Sequence, residues 1–405
     1  MIVGGGVIGL CVGYFLARAG RRVLILDRDA EDADNCSTGN AGMVVPSHFV
    51  PLAAPGVIGR GLKWLLDPES PFYVRPRMSG ELLRWGWLFM RSATCRNVEE
   101  SAGLLCDLQM RSRALFSEIA AEGDFGLVQR GLLMLCESER TLDEEARLVA
   151  RAGELGIEAE LCDPRRLGEL DPDIEMRVAG GVWWGQDCHL DPRKFLGVLR
   201  AGIRKNGGEF RYESEVTGVA GTRVALATGE VLEGSHVVLA GGAFTPMLAR
   251  SLGTCLPMQA GKGYSMTLAR PPQLPRLCSL LGEAKVAVTP MGTSLRVAGT
   301  MEICGHDRTI DERRVRGIIK AACRVFPRFS EADFEGVPRW AGLRPCSPDG
   351  LPYVGPVPGH ERLFVASGHA MLGLSLGPVT GELVAALVDG RTPPLPVGRL
   401  AVGRF

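Results

Sequence analysis

Two spacings of apolar residues alternate along the chain. Consecutive apolar positions at Ile2 and Val3, and again at 23–26, predict strands buried on both faces. Between them, residues 10–19 predict a helix stopped by Gly20. Helical spacing returns at Leu104, Leu105, Leu108, Leu115 and Ile119. Residues 132–136 and 180–184 predict strands; Thr141 with Glu144 predicts a capping box for a helix carrying Leu148, Val149, Ala152 and Leu155. Asp191 and Pro192 predict the N-cap and first turn of a helix holding Phe195, Leu196, Leu199 and Ile203, ended by Gly207 and Gly208. Residues 213–226, turning at Thr228-Gly229, and 236–240 predict further strands. The segments 257–268, 285–291 and 294–300 also predict strands, the last two joined at Gly292-Thr293. An amphipathic helix is expected from Val315 to Phe326, a buried strand at 363–366 and a helix at 379–388. Residues 82–90, with Trp85, Trp87 and Phe89, favour a buried helix over a patch dipping into a membrane surface. Residues 62–66 form another apolar segment after a proline-rich loop at 46–61, and 340–355 reads as a glycine- and proline-rich loop.

This alternation predicts an α/β fold; with Gly4, Gly6 and Gly9 directly after the first strand, it points to a Rossmann-type dinucleotide-binding domain interleaved with an α+β substrate domain that contains a mixed sheet. The strand at 236–240 ends in small residues, as one returning to a dinucleotide would. The expected division therefore assigns 1–60, 185–256 and 331–405 to the first domain, and 61–184 and 257–330 to the second.

The first strand runs straight into Gly4, Gly6 and Gly9, a G-x-G-x-x-G. Gly4 permits the sharp turn, Gly6 lets a pyrophosphate reach the backbone and helix dipole, and Gly9 lets helix and strand pack closely. Asp27 ends the second strand, where a carboxylate would meet a ribose 2′-hydroxyl. The acid disfavours NADP but does not separate NAD from FAD. Only Ile2 and Val3 follow Met1 before Gly4, so either the strand is short or the recorded start is truncated.

Composition narrows the classes. The chain has 405 residues, enough for more than one core, and is 46% hydrophobic and 23% charged, which excludes a disordered tail protein. Lys+Arg and Asp+Glu are both 46, so no basic field calls for nucleic acid. Twelve cysteines without a Cys-x-x-Cys disfavour a zinc or iron–sulfur centre, and their scatter fits a reduced, cytoplasmic chain. No signal peptide and no membrane span are expected.

A second cluster follows Trp340: Gly342, Arg344 and Pro345, then 347–355, and the run from Gly368 to Pro378 that opens the last helix. That helix start suits backbone donation to a flat cofactor, and an arginine beside it suits a carboxylate held by two parallel hydrogen bonds. His369 reads as a cofactor-side packing or polar contact, and His189 as a packing residue. Together with the fingerprint and Ser37 to Gly42, these motifs resemble the glycine oxidase/D-amino-acid oxidase superfamily of FAD enzymes. Within it the chain looks like the bacterial D-amino-acid dehydrogenases, on Asn40-Ala41-Gly42, Ala53 to Gly56, and Leu62-Lys63-Trp64.

The resemblance implies noncovalent FAD, with Gly4, Gly6, Val7, Ile8, Gly9, Asp27 and Arg28 around the adenosine diphosphate. Ser37, Thr38, Asn40, Ala41, Gly42 and Val44 would line its middle, with Val216, Ala240 and Gly241 nearer the adenine side. Gly342, Gly368, His369, Gly373, Leu374, Ser375 and Gly377 would approach the isoalloxazine. Arg344 matches the arginine that holds the substrate carboxylate, with Tyr264 assisting. His48 departs from the general D-amino-acid dehydrogenases and points to cyclic imino acids such as D-proline or hydroxy-D-proline. The implied reaction oxidises a D-amino or D-imino acid at Cα by hydride transfer to the flavin, with a quinone or electron-transfer partner as acceptor. An amine or sarcosine-type oxidase, and the flavin-binding subunit of a larger dehydrogenase complex, stay open as alternatives. So does peripheral association with the inner face of the cytoplasmic membrane.

Overall fold

The computed structural model describes residues 1–57, 59 and 69–405. The apolar segment expected at 62–66, and with it the 62–64 stretch of the family resemblance, lies outside the described residues. Among the described residues, two large sheets carry the fold. The first has six strands in the order Tyr353–Val357, His360–Ser367, Val237–Leu239, Ile2–Val3, Leu24–Leu26 and Glu209–Arg211. Neighbours are parallel except the first two, which form a hairpin. Ile2–Val3 is short yet central, because both residues pair on both sides, to Val238 and Leu239 and to Ile25 and Leu26. The helix Val7–Arg18 covers this sheet together with Pro192–Lys205 and Gly377–Val388. A Cβ on Gly381 would stand 2.6 Å from the Cys11 backbone, so glycine sets how closely the first and last helices cross.

The second sheet has nine strands. Eight follow the order Arg339–Cys346, Gln259–Leu268, Ser294–Ile303, Val286–Met291, Cys278–Leu281, Leu132–Cys136, Gly180–Trp184 and Ala159–Cys162, and Phe72–Val74 pairs with Ser294–Ile303. It is mixed, parallel where Leu132–Cys136 meets Cys278–Leu281 and where Phe72–Val74 joins. The amphipathic helix Glu312–Val325 buries Val315, Ile318 and Ile319 against it. A Rossmann-like region is thus interleaved with a mixed-sheet region, as the apolar spacing predicted.

Three local expectations change. Residues 339–346, read as loop, form a strand that also takes part of the segment 331–405 into the second sheet. Its glycine and proline misled the reading, but the strand lies at the sheet's edge, where a proline's missing N–H is tolerated. The helix expected to open at Thr141 begins at Glu139, with the Ser138 hydroxyl accepting from Thr141 N–H. The helix Gly80–Ser92 is buried on one face only. Trp85 and Phe89 stack at 5.1 Å in the core, and Trp85 Nε1–H donates to Cys346 O at 2.9 Å. Leu83, Trp87 and Met90 on the same helix are exposed. Among the described residues, no helix is long and apolar enough to cross a membrane.

Candidate functional site

A cavity of about 1200 Å³ is lined from both sheets. At one end the chain turns at Gly4, whose φ is +113° and whose added Cβ would lie 2.5 Å from Ala240 O. A Cβ on Gly9 would overlap Gly4 O, so Gly9 lets the helix sit against the strand and stands behind the cavity wall. Gly6 is different. A Cβ there would only touch Ser37 Oγ at 3.4 Å, so the protein itself leaves this position open toward the cavity. No residue within the helix caps it; Ser37 Oγ accepts from Val7 N–H at 2.9 Å instead. Asp27 lines the cavity and accepts from Gly5 N–H and Asp29 N–H, which fixes its carboxylate at the strand end. Arg28 lies 3.9 Å over the Phe244 ring, and both line the same end. Ile8, Val216, Ala240 and Gly241 line it too.

Ser37, Asn40 and Ala41 continue the wall. Thr38 stands behind it, its hydroxyl donating to Asn35 O at 3.0 Å. Arg296, missed in the sequence, fastens this segment to the second sheet by donating to Thr38 O and Asn40 O at 2.9 and 2.6 Å. Gly42, Val44, Gly368, Ser375 and Gly377 stand behind the residues that line the cavity. Gly42 has φ +78° and Gly368 φ +82°, and Val44 is fully buried. A Cβ on Gly377 would press on Cys11 and Val7. Ser375 Oγ accepts from Val45 N–H at 3.0 Å and donates to Gln109. Gly342, His369, Gly373 and Leu374 do line the cavity. His369 is 2% exposed; its Nε2 pairs with Thr380 Oγ1 at 2.9 Å while its Nδ1 has no partner among the described residues. Burial pushes its pKa down to about 3, so the ring is neutral.

The second sheet supplies Arg344. Its side chain lies across the neighbouring strand, where a Cβ on Gly263 would fall inside the guanidinium. Its Nη1 donates to Thr300 O at 2.6 Å. Thr300 has a left-handed φ of +68° where the pairing with Gln259–Leu268 shifts register, and this bulge aims its carbonyl at the arginine. Burial lowers the Arg344 pKa from the ordinary arginine value, a penalty that an anion beside it would relieve. Trp340, at the head of the second cluster but given no role there, covers Gly39 and Gly342, and its Nε1–H is buried without a partner among the described residues.

The expectation that Tyr264 assists Arg344 is revised. Tyr264 borders the cavity, but its register partner is Ala341, so the strand's alternation puts its side chain on the face opposite Arg344, in the core cluster that includes Val315 and Ile318. Its hydroxyl donates to Glu302 Oε2 at 2.7 Å, and Glu302 also pairs with the buried Lys262 at 3.3 Å. That hydroxyl is committed. His48 does line the cavity, and burial, then Lys285, pushes its pKa down to about 4. His189 is 2% exposed and paired with Met43 in a short ladder, a packing residue as expected.

Comparison with known proteins fits this architecture. The family described as DAO, FAD dependent oxidoreductase, matches residues 1–387. The chain belongs to that family. It is 33% identical over 424 residues to a D-amino acid dehydrogenase of Methylobacterium nodulans, covering 100% of this chain and 98% of the other. A D-amino acid dehydrogenase of Xanthobacter autotrophicus is 32% identical over 417 residues, with the same coverage. Among solved structures, glycine oxidase from Geobacillus kaustophilus shares the fold at TM-score 0.78 and 23% identity, covering 100% of this chain and 98% of that one. L-proline dehydrogenase from P. horikoshii shares it at TM-score 0.73 and 17% identity, covering 100% and 96%.

The protein is therefore an FAD-dependent oxidoreductase, and its residues fit that cofactor. The open position at Gly6 accommodates a pyrophosphate beside the N-terminus of the first helix. The unpartnered His369 Nδ1 and Trp340 Nε1 are buried polar atoms of the kind that a bound ring's polar edge satisfies.

Proposed function

We propose that this enzyme oxidises a D-amino or cyclic D-imino acid at Cα, with D-proline and hydroxy-D-proline as the substrates of choice. The supporting observation is Arg344, a half-buried guanidinium held by Thr300 O over the space that Gly263 leaves, in the cavity that begins at the glycine fingerprint. The full-length similarity to D-amino acid dehydrogenases supports the same substrate class.

In this reading Gly4, Gly6, Asp27, Ser37, Asn40, Ala41, Gly342, His369, Gly373 and Leu374 hold the cofactor. Bound FAD supplies the acceptor for the Cα hydrogen and two electrons. Arg344 binds the carboxylate with two parallel hydrogen bonds, which fixes Cα in position as well as neutralising charge. Trp340 and the buried side chains around it keep water from that carboxylate, strengthening the ion pair. His48 at the wall narrows the site toward a ring-closed substrate. An acyclic product imine hydrolyses to the oxo acid, whereas a proline-like product stays a ring. The electrons then leave to a quinone or an electron-transfer partner.

Anaerobic bleaching of the flavin by D-proline, hydroxy-D-proline, D-alanine and their L-counterparts tests the reading. The D-series, led by the cyclic acids, should reduce the flavin faster. Faster reduction by an L-series member overturns the assignment.

A further inference from the structure

Three polar side chains form a continuous path into the cavity wall. Asp187 is 0% exposed and precedes the strand Cys188–His189. Ser47 meets both of its oxygens, donating N–H to Oδ1 at 2.9 Å and the hydroxyl to Oδ2 at 2.6 Å. Its proton thus committed, the Ser47 oxygen remains an acceptor, and His48 Nδ1 lies 3.1 Å from it. That contact requires the tautomer with hydrogen on Nδ1, which leaves a lone pair on Nε2. Gln109 Nε2–H donates to His48 O at 3.0 Å, so the backbone that aims the ring is fixed as well. Ser47 and His48 line the same cavity as Arg344.

A fully buried carboxylate whose hydrogen-bond partners come from one serine is costly unless it can be neutralised. Burial pushes the Asp187 pKa up to about 7, against the two Ser47 hydrogen bonds and the charge of Arg113. Cys188 and Cys278 beside it are thiols that burial also raises, so neither competes as an anion. On the cavity side, Lys285 is the cation that acts on His48, and burial with Lys285 disfavours a lasting imidazolium. Of this set, Asp187 is the group on which a proton comes to rest.

We propose that His48, Ser47 and Asp187 form a relay that takes the ammonium proton from the bound amino or imino acid before oxidation. The inference rests on the substrate class proposed above. One substrate N–H bond breaks and leaves its electron pair on nitrogen. The proton goes to His48 Nε2, the Nδ1 proton passes to Ser47 Oγ, and the Ser47 proton passes to Asp187 Oδ2. A cation and an anion are both neutralised, a change favoured in a cavity of low dielectric. The freed nitrogen pair then supports departure of the Cα hydrogen with its two electrons, which the bound FAD accepts. His48 is the group facing the substrate; Ser47 and Asp187 act through it as positioning residues.

The test is the pH dependence of anaerobic flavin reduction in Ser47→Ala and Ser47→Thr, prepared with FAD and compared with wild type. Wild type should lose rate below about pH 7 as Asp187 takes up a proton. Ser47→Ala breaks the path without changing charge. Its acid limb should move upward by about one pH unit or more toward the ammonium's own value, an approximately ten-fold slower reduction at neutral pH. Ser47→Thr keeps a hydroxyl and should restore the wild-type limb, which a purely structural role would not require. An unshifted limb in FAD-bearing Ser47→Ala overturns the relay. Should that variant fail to fold, His48→Asn gives the same readout, with the same limb shift expected and an unshifted limb again fatal. If wild-type flavin is reduced by no amino or imino acid of either series, the substrate reading falls first and takes the relay with it.

Discussion

Two parts of the cavity are built from different materials. The dinucleotide end is made by backbone: Gly4 turns, Gly9 admits a neighbouring carbonyl and Gly6 stays open. The part around Arg344 and His48 is made by side chains from segments far apart in sequence. Arg344 is aimed by Thr300 and Asp187 is satisfied by Ser47, across separations of 44 and 140 residues. Backbone sites depend on the absence of a Cβ at one position. Side-chain sites depend on the register of several strands at once, and so tolerate single changes in stability while losing geometry.

The largest effect should come from Gly9→Val. With even a Cβ overlapping Gly4 O, the first helix cannot sit on its strand, and a loss above about 4 kcal/mol or failure to fold is expected. Denaturant midpoints or soluble yield would read it; a near-native midpoint would break the backbone account. Trp85→Ala, beneath the strand that carries Arg344, should cost about 3–5 kcal/mol through lost packing and the lost donor to Cys346 O. Thermal denaturation at fixed pH measures it.

Acid should act next. His48, His189 and His369 are held at about 4, 4 and 3, so between pH 6.5 and 4 the unfolded chain binds protons that the folded chain refuses. Asp187, raised to about 7, works the other way over much of this window. Burial also raises the Glu145 and Asp171 carboxyls and lowers His236, so four histidines oppose three carboxyls and stability should fall with acidification, by about 1.4 kcal/mol per pH unit for each net proton. A melting temperature that rises from pH 6.5 to 4.5 would contradict this balance. Gly6→Ala should change stability by less than about 1 kcal/mol, since its Cβ meets only Ser37 Oγ, yet it should release FAD, seen as lost flavin absorbance after gel filtration. Smallest of all, Trp87→Ser on the exposed face should stay within about 0.5 kcal/mol of wild type.

The same contrast explains what could be read from the chain. Gly4, Gly9 and Asp27 announce themselves because strand, turn, helix and strand are adjacent in sequence, and local spacing encodes them. Asp191 and Pro192 at a helix start are legible for the same reason. Arg344 was recognised as a residue but placed in a loop, because Pro345 masks an edge strand. Tyr264 was given to the substrate, although alternation along its strand and Glu302 on the next one commit its hydroxyl elsewhere. Ser375 and Gly377, expected beside the cofactor, also carry long-range packing that the sequence does not announce, Ser375 to Val45 and Gly377 against Cys11. Trp340 is named in the sequence only as the start of its cluster, and Asp187 and Arg296 carry no signal there, because their partners come from distant segments that no period in the sequence brings together.

The central claim is that Arg344 holds the carboxylate of a D-configured substrate. The most direct measurement is rapid-reaction flavin reduction by D-proline across concentration, in wild type and Arg344→Lys. Lysine keeps the charge but loses the two-pronged geometry. A charged hydrogen bond worth about 1.5–3 kcal/mol predicts roughly ten- to several-hundred-fold weaker substrate binding, with FAD retained. Equal saturation and equal reduction rates in the two proteins would contradict the account.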